Sequence, residues 1–206
     1  MITAIILAAG QSKRMGQPKM LLPWGETTVL GQVIETVQRA GVDEILVVTG
    51  GARERVEKLV TSYGLRVTHN ENFQSGEMLS SVQTGLRDIS SHLHKLGEGA
   101  GGEGKSDAAL ICLGDQPQVQ ERCVRAVVDA FEAGESNLVV PSYQMRRGHP
   151  WLVARPLWDE ILAMSPAESP REFMNRHAGE IQYVNVDTPS ILADLDTYEE
   201  YLKSRP

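Results

Sequence analysis

Short apolar runs rich in β-branched residues alternate along this chain with longer stretches in which apolar positions recur at helical spacing. The runs fall at Thr3–Leu7, Glu44–Thr49, Leu65–His69, Ala108–Leu113, Asn137–Pro141, Ile181–Val186 and Ile191–Asp194. Each has the length of a buried strand. Between most of them lie Thr28–Ala40, Arg53–Ser62, Glu77–Leu93, Val119–Glu132, Pro156–Met164 and Pro170–His177, whose periodicity predicts helices. Alternation of this kind specifies an α/β fold, a sheet with helices on both faces. From Asn137 onward the turn signals crowd, Tyr143–Val153 reads as a hairpin or loop excursion, and the sheet is expected to become mixed. Ligands of a doubly wound sheet sit outside the carboxyl ends of its strands, so the loops after Leu7, Val48, His69 and Leu113 should converge on one site.

Composition changes this picture little. At 206 residues, one domain spanning 1–206 is the default. Gly97–Ser106, dominated by glycine, has too little apolar surface to offset its ordering entropy and reads as a flexible insertion between a helix and a strand. The net charge of −7 argues against a nucleic-acid partner, because duplex binding needs a broad basic face. No positively charged leader precedes a long apolar stretch, which points to no membrane partner and a cytoplasmic location. Cys112 and Cys123 fit neither a disulfide framework nor a zinc pattern and read as buried, inert thiols.

The first loop carries the densest chemistry. Leu7-Ala8-Ala9-Gly10-Gln11-Ser12-Lys13-Arg14-Met15-Gly16-Gln17-Pro18-Lys19 follows the first strand without a break. Small residues at Ala8, Ala9 and Gly10 allow a ligand close to the backbone, Gly10 and Gly16 permit positive φ, and free N–H groups in such a turn attract anions. Ser12 adds a hydroxyl, and Arg14 and Lys19 add the two cations that a triphosphate needs. The loop is neither of two better-known phosphate loops: Gly10 and Gly16 have five residues between them and no Lys-Ser/Thr follows, and no glycine occupies the second position of a dinucleotide fingerprint.

LAAGQSKRMGQPKMLL resembles the signature of the MobA-like NTP transferases, the molybdenum cofactor nucleotidyltransferases, and Ala9 is more similar to the cytidylyl branch than to the guanylyl branch. The resemblance implies a Rossmann-like three-layer nucleotidyltransferase fold with a mixed, mostly parallel sheet. It implies Mg²⁺ as cofactor, an NTP (CTP) and a molybdopterin-type phosphorylated acceptor as substrates, and a molybdoenzyme or its maturation chaperone as a protein partner. Leu7, Ala8, Ala9, Gly10, Ser12, Arg14 and Lys19 would then bind the nucleotide, with Arg14, Lys19 and Asp115 catalytic.

Two later segments supply carboxylates. Asp115 ends an apolar run in Leu113-Gly114-Asp115-Gln116-Pro117, a turn that holds a carboxylate well for a hard cation. The resemblance makes it a magnesium ligand. Asp194 and Asp196 lie two apart, so on a strand both face one side. The resemblance makes one of them the second metal ligand, Asp196 before Asp194. Thr197 is equally an N-cap for a last helix, with Glu200 three residues on.

Asn70, Ser80 and Ser81 are expected at the nucleobase, by resemblance and because a helix start with small hydroxyl residues offers donors; they are also ordinary caps. Arg146, Arg147 and His149, in Arg146-Arg147-Gly148-His149-Pro150, resemble the family's acceptor side, while a solvated hairpin tip explains them as well. His92, His94 and His177 share no metal-ligand spacing and read as surface residues. Rival readings are a guanylyl- or sugar- or alditol-phosphate nucleotidyltransferase, and a non-catalytic cofactor carrier.

Overall fold

The computed structural model describes residues 1–75, 78–95, 108–134 and 136–206. The glycine-rich stretch Gly97–Ser106 lies outside the described residues. Ten strands are described: β1 (Ile2–Ala8), β2 (Pro23–Trp24), β3 (Thr27–Thr28), β4 (Glu44–Thr49), β5 (Arg66–His69), β6 (Ala108–Leu113), β7 (Leu138–Tyr143), β8 (Arg146–Arg147), β9 (Trp151–Ala154) and β10 (Gln182–Asn185). The α-helices are α1 (Val29–Arg39), α2 (Arg53–Ser62), α3 (Met78–Lys95), α4 (Glu121–Ala133), α5 (Trp158–Ala163), α6 (Pro170–Arg176) and α7 (Tyr198–Ser204).

The main sheet runs β10-β7-β9-β6-β1-β4-β5, with β8 paired to β7 and β2–β3 apart as a small ribbon. β6, β1, β4 and β5 are parallel neighbours, as are β7 and β10, while β9 runs antiparallel to both β6 and β7. The sheet is therefore mixed, mostly parallel and covered on both faces.

Central strands buried on two sides read as continuous apolar runs because successive side chains enter different layers. Along β1, Ala4, Ile6 and Ala8 enter one core and Ile5 and Leu7 the other. The first core takes Leu30, Ile34 and Val37 of α1, Val56 and Val60 of α2, and Val124, Val127 and Val128 of α4. The second takes Leu79, Val82, Leu86 and Ile89 of α3, Trp158 of α5 and Phe173 of α6. Fully burying one such aliphatic side chain stabilises the fold by roughly 1.5–3 kcal/mol.

Two expectations are corrected. Tyr143–Val153 does hold a hairpin turn, with Arg146 paired to Tyr143, but its end is no excursion: Trp151–Ala154 is the strand β9 inside the sheet, buried along its whole length. Ile191–Asp194 is not a strand: Pro189–Leu192 forms a 3₁₀ turn whose start is capped by the Thr188 hydroxyl accepting from Ser190 N at 3.2 Å. Proline at the first turn position and that local bond turn the chain away from the sheet.

His177, read as a surface residue, is tucked against the Phe173 ring, with Nε2 2.7 Å from Glu160 and its side chain 13% exposed. Cys112 and Cys123 are buried and unpaired, and burial pushes both thiols up. Among the described residues no helix is long and apolar enough to cross a membrane.

Candidate active site

At the carboxyl ends of β1 and β6 a crevice of about 540 Å³ is lined by Leu7, Ala9–Arg14, Lys19, Met20, Phe73, Gln74, Met78, Ser81, Leu113, Asp115, Asp194 and Asp196. Three of the four expected loops line it, those after β1, β5 and β6. The loop after β4 supports the first loop instead, with Gly51 N donating to the Ala9 carbonyl at 3.2 Å.

The first loop is shaped by its own polar groups. Ser12, at φ 51°, and Gly16, at φ 66°, take the left-handed conformations, and Gly10 does not. A Cβ at position 10 would meet nothing within 4 Å, so this side of the loop is open. The Ser12 hydroxyl accepts from Lys19 N at 2.9 Å and closes the loop on itself. Met15 anchors it from below, packing with Leu22, Trp24, Val29, Leu195 and Tyr201 in a satellite core that also holds the C-terminal segment.

Gly114 brings the second wall close, since a Cβ there would lie 2.9 Å from the Leu7 carbonyl. Asp115 is therefore presented beside the end of β1. Its own carbonyl accepts from Leu195 N at 3.1 Å, and the buried Gln116 donates through Nε2 to Asp194 Oδ1 at 2.5 Å and to the Ile191 carbonyl at 3.4 Å. Asp194 and Asp196 thus reach the crevice by stitching to the β6 loop, and not by strand alternation. A capping box, with Thr197 accepting from Glu200 N and Glu200 accepting from Thr197 N, fixes the start of α7 just beyond them.

The cations and carboxylates pair across the crevice. Lys19 Nζ lies 2.5 Å from Asp115 Oδ2, 3.0 Å from the Leu195 carbonyl and 3.8 Å from Asp196 Oδ1. Arg14, 74% exposed, reaches Asp196 at 3.3 Å. The Asp194 carboxyl is raised from its ordinary value, first by desolvation and then by the charges of Asp115 and Asp196, against the lowering effect of Gln116 and Lys19.

The other expected residues divide. Ala8 is fully buried in the first core beneath the loop, whereas Leu7, Ala9, Gly10, Ser12 and Ser81 line the crevice. Asn70 is 1% exposed and commits its whole amide internally, donating to Ser80 Oγ at 2.9 Å and Ser81 Oγ at 3.0 Å and accepting from Asn72 N at 2.9 Å. It holds the loop after β5 against the start of α3, and Ser81 is the member of the three that lines the crevice.

Arg146, Arg147 and His149 are not among the described lining residues. Arg147 donates to Tyr183 Oη at 2.9 Å and Asn175 Oδ1 at 3.0 Å, and Arg146 is exposed on β8. His149 is held neutral, its pKa pushed down to about 4 by desolvation, with Nε2 buried and, among the described residues, without a hydrogen-bond partner. Sequence reasoning passed over Gln116, Phe73 and Gln11, whose Nε2 bridges to the Phe73 carbonyl at 3.4 Å. Their available signal was position alone, beside Asp115, beyond β5 and within the first loop.

A basic, glycine-bearing loop opposed to carboxylates at the carboxyl ends of a mixed sheet suits the phosphates of a nucleotide. The sequence profile of the MobA-like NTP transferase domain matches residues 4–181, and the chain belongs to that family. Over 205 residues it is 24% identical to the molybdenum cofactor cytidylyltransferase of Escherichia coli K12, covering 99% of this chain and 95% of that one. It is 27% identical over 207 residues to the nicotine blue oxidoreductase of Paenarthrobacter nicotinovorans, covering 97% and 94%. The crystal structure of Rv0371c from Mycobacterium tuberculosis H37Rv matches with a TM-score of 0.78 at 27% identity, covering 98% and 96%. A manganese complex of Rv0371c matches with a TM-score of 0.68 at 26% identity and the same coverage.

Proposed function

We propose that this protein transfers CMP from CTP to a molybdopterin-type phosphorylated acceptor, releasing pyrophosphate, with Mg²⁺ as its metal. The observation that carries the reading is the opposition in one crevice of Lys13, Arg14 and Lys19 to Asp115, Asp194 and Asp196. These charges balance, so a triphosphate entering alone would leave several negative charges uncompensated. A divalent cation offsets part of that charge, and Mg²⁺ takes one or two carboxylates beside substrate phosphates and waters. The donors fit: Asp115 and Asp196 already share one cationic group, the Lys19 ammonium. These two would hold the metal, with Asp194 next to them. Once bound, it would supply positive charge beside the phosphates and so offset theirs.

The chain's own part is positioning and neutralisation. An acceptor phosphate monoester is already an anionic nucleophile, so no side chain need be deprotonated. One of its oxygens bonds to the α-phosphorus, the bond from that phosphorus to the β-bridging oxygen breaks, and the electron pair leaves with pyrophosphate. Arg14 and Lys19 offset charge on the triphosphate, the Ala9–Gly10 backbone lies along it, and Ser81, braced by Asn70 and Ser80, meets the base. Arg146 and Arg147 are assigned to a second phosphate of the acceptor, with His149 shaping their turn. The choice of CTP is supported by Ala9 and by the name of the Escherichia coli relative. The reading carries with it a single domain over 1–206 and a cytoplasmic setting.

The test is pyrophosphate release with each of the four NTPs against molybdopterin-type and sugar-phosphate acceptors, with Mg²⁺ or Mn²⁺. CTP with the molybdopterin-type acceptor is expected to lead. GTP or a sugar phosphate leading would move the assignment within the class, and no pyrophosphate with any pair would leave the carrier reading. The similarity to nicotine blue oxidoreductase supports a second reading, a redox enzyme whose first loop holds a dinucleotide pyrophosphate. Hydride transfer gives the crevice carboxylates no part, so Asp115→Asn should spare a redox activity and abolish nucleotidyl transfer.

A further inference from the structure

The space shared by the crevice carboxylates is filled by a cation that belongs to the chain. The Lys19 ammonium has three donors and no acceptor. It meets three oxygens, Asp115 Oδ2 at 2.5 Å, the Leu195 carbonyl at 3.0 Å and Asp196 Oδ1 at 3.8 Å, and its side chain is 11% exposed. A divalent ion approaching Asp115 and Asp196 in this arrangement meets a positive charge sheltered from solvent. Among the described residues no group of three or more His, Cys, Asp or Glu side chains is assembled to hold a metal ion.

We propose that Lys19 is a placeholder cation: it keeps a divalent metal out of the nucleotide-free crevice and yields Asp115 and Asp196 only when a triphosphate draws its ammonium away, so that metal enters with or after the nucleotide. The inference rests on the metal assignment made above. The backbone favours such a swing. Lys19 N is pinned to Ser12 Oγ at 2.9 Å, and Met20 is buried, so the start of the 3₁₀ turn Lys19–Leu21 stays fixed while the four-carbon stem moves. Triphosphate oxygens compete for the ammonium in the same crevice. Its departure frees two carboxylates as negative charge accumulates beside them, and both changes favour a divalent ion. Such coupling is reciprocal, so metal must raise nucleotide affinity by the factor by which nucleotide raises metal affinity.

The experiment counts free Mn²⁺ by electron paramagnetic resonance in titrations of nucleotide-free protein. Wild type should bind Mn²⁺ weakly, and Lys19→Met should bind it about tenfold or more tightly, within the usual range of such couplings. Adding Asp115→Asn to Lys19→Met should return binding to the weak level. Equal Mn²⁺ affinity in wild type and Lys19→Met overturns the proposal while leaving the metal site intact. Tight binding by Lys19→Met that Asp115→Asn does not weaken overturns the metal assignment itself, a distinguishable failure. Should melting curves show that Lys19→Met does not fold, wild type decides alone through calorimetry. Inorganic tripolyphosphate in EDTA should then bind more tightly than Mn²⁺ does without it, and the reverse order overturns the proposal.

Discussion

Asp115 and Lys19 form one largely buried pair in the crevice, so substitutions at either report on both chemistry and stability. Asp115→Ala removes a proposed metal ligand from a loop, and since metal stabilisation of developing charge is worth several kcal/mol, kcat/KM should fall by about two to four orders of magnitude. The ammonium left behind keeps the Leu195 carbonyl and Asp196 as partners, so the fold should survive, with Tm moving by a few degrees at most. A variant with unperturbed melting and near wild-type turnover would sink the assignment. Two histidines act with opposite sign on the pH dependence of stability. His177 is raised, because Glu160 and Glu180 outweigh the lowering effect of its burial. Its contribution is complete below the unfolded pKa and is lost as pH rises through the folded one. His149 is depressed to about 4, so above the unfolded value near 6.5 both states are neutral and it contributes no slope. As pH falls from about 6.5 to 4 the unfolded chain takes up a proton that the native state refuses, removing on the order of 3 kcal/mol of stability. His149→Gln should flatten that acid limb in urea unfolding free energies measured at steps between these two pH values. A slope as steep as that of wild type would show that His149 is not held neutral by the fold.

Elements differ in how much of their placement is local. Asn70 connects two of them, and because its amide is fully committed to Ser80, Ser81 and Asn72, Asn70→Ala should strand these groups and loosen the loop after β5. Losing a buried hydrogen-bonded amide costs about 1–3 kcal/mol. The expected result is a lower Tm together with a raised KM for the NTP, whereas Ser81→Ala should raise KM with little change in Tm. The two variants behaving alike would merge the positioning role with the contacting one. β4 and β6 match the apolar runs Glu44–Thr49 and Ala108–Leu113 because strands buried on both faces announce themselves as unbroken apolar sequence. β9 hides because it is only four residues long and follows Gly148 and Pro150 directly, so the turn signals at its start mask a short apolar run. Ile191–Asp194 misleads for the opposite reason: its apolar pair serves a 3₁₀ turn that packs Ile191 into contact with Gly148. In the site, the first loop and Asp115 are contiguous motifs and therefore readable. The pairing of Lys19 with Asp115, the stitching of Gln116 to Asp194 and the withdrawal of Asn70 from the crevice depend on tertiary contacts that no local pattern encodes.

On the scale of the whole molecule the crevice joins the two ends of the chain. Arg14 and Lys19 come from the first loop, Asp115 from mid-chain, and Asp194 and Asp196 from the final segment, which Leu195 and Tyr201 hold to Met15 and Trp24. Tyr201 Oη adds a hydrogen bond to the Pro23 carbonyl at 2.8 Å. A site assembled this way does not exist in the unfolded chain, so a ligand that binds it stabilises the native state by RT ln(1 + [L]/Kd), about 2.7 kcal/mol at a hundredfold excess over Kd. For a chain of 206 residues one kcal/mol moves Tm by about 2–4 °C, so CTP with Mg²⁺ should raise Tm by roughly 5–11 °C. Deleting residues 194–206 removes two buried anchors and both C-terminal carboxylates, so it should lower the unliganded Tm and erase the ligand-induced rise together. That variant alone cannot separate binding from folding. Asp196→Asn can, since its carboxylate is 55% exposed and its loss should leave the unliganded Tm within about 1–2 °C, as a surface ion pair worth under about 1 kcal/mol implies. The rise with CTP and Mg²⁺ should nevertheless shrink to less than half, because the proposed metal site would have lost one of its two ligands. A rise as large as that of wild type would detach Asp196 from the site and leave Asp115 to hold the metal without it.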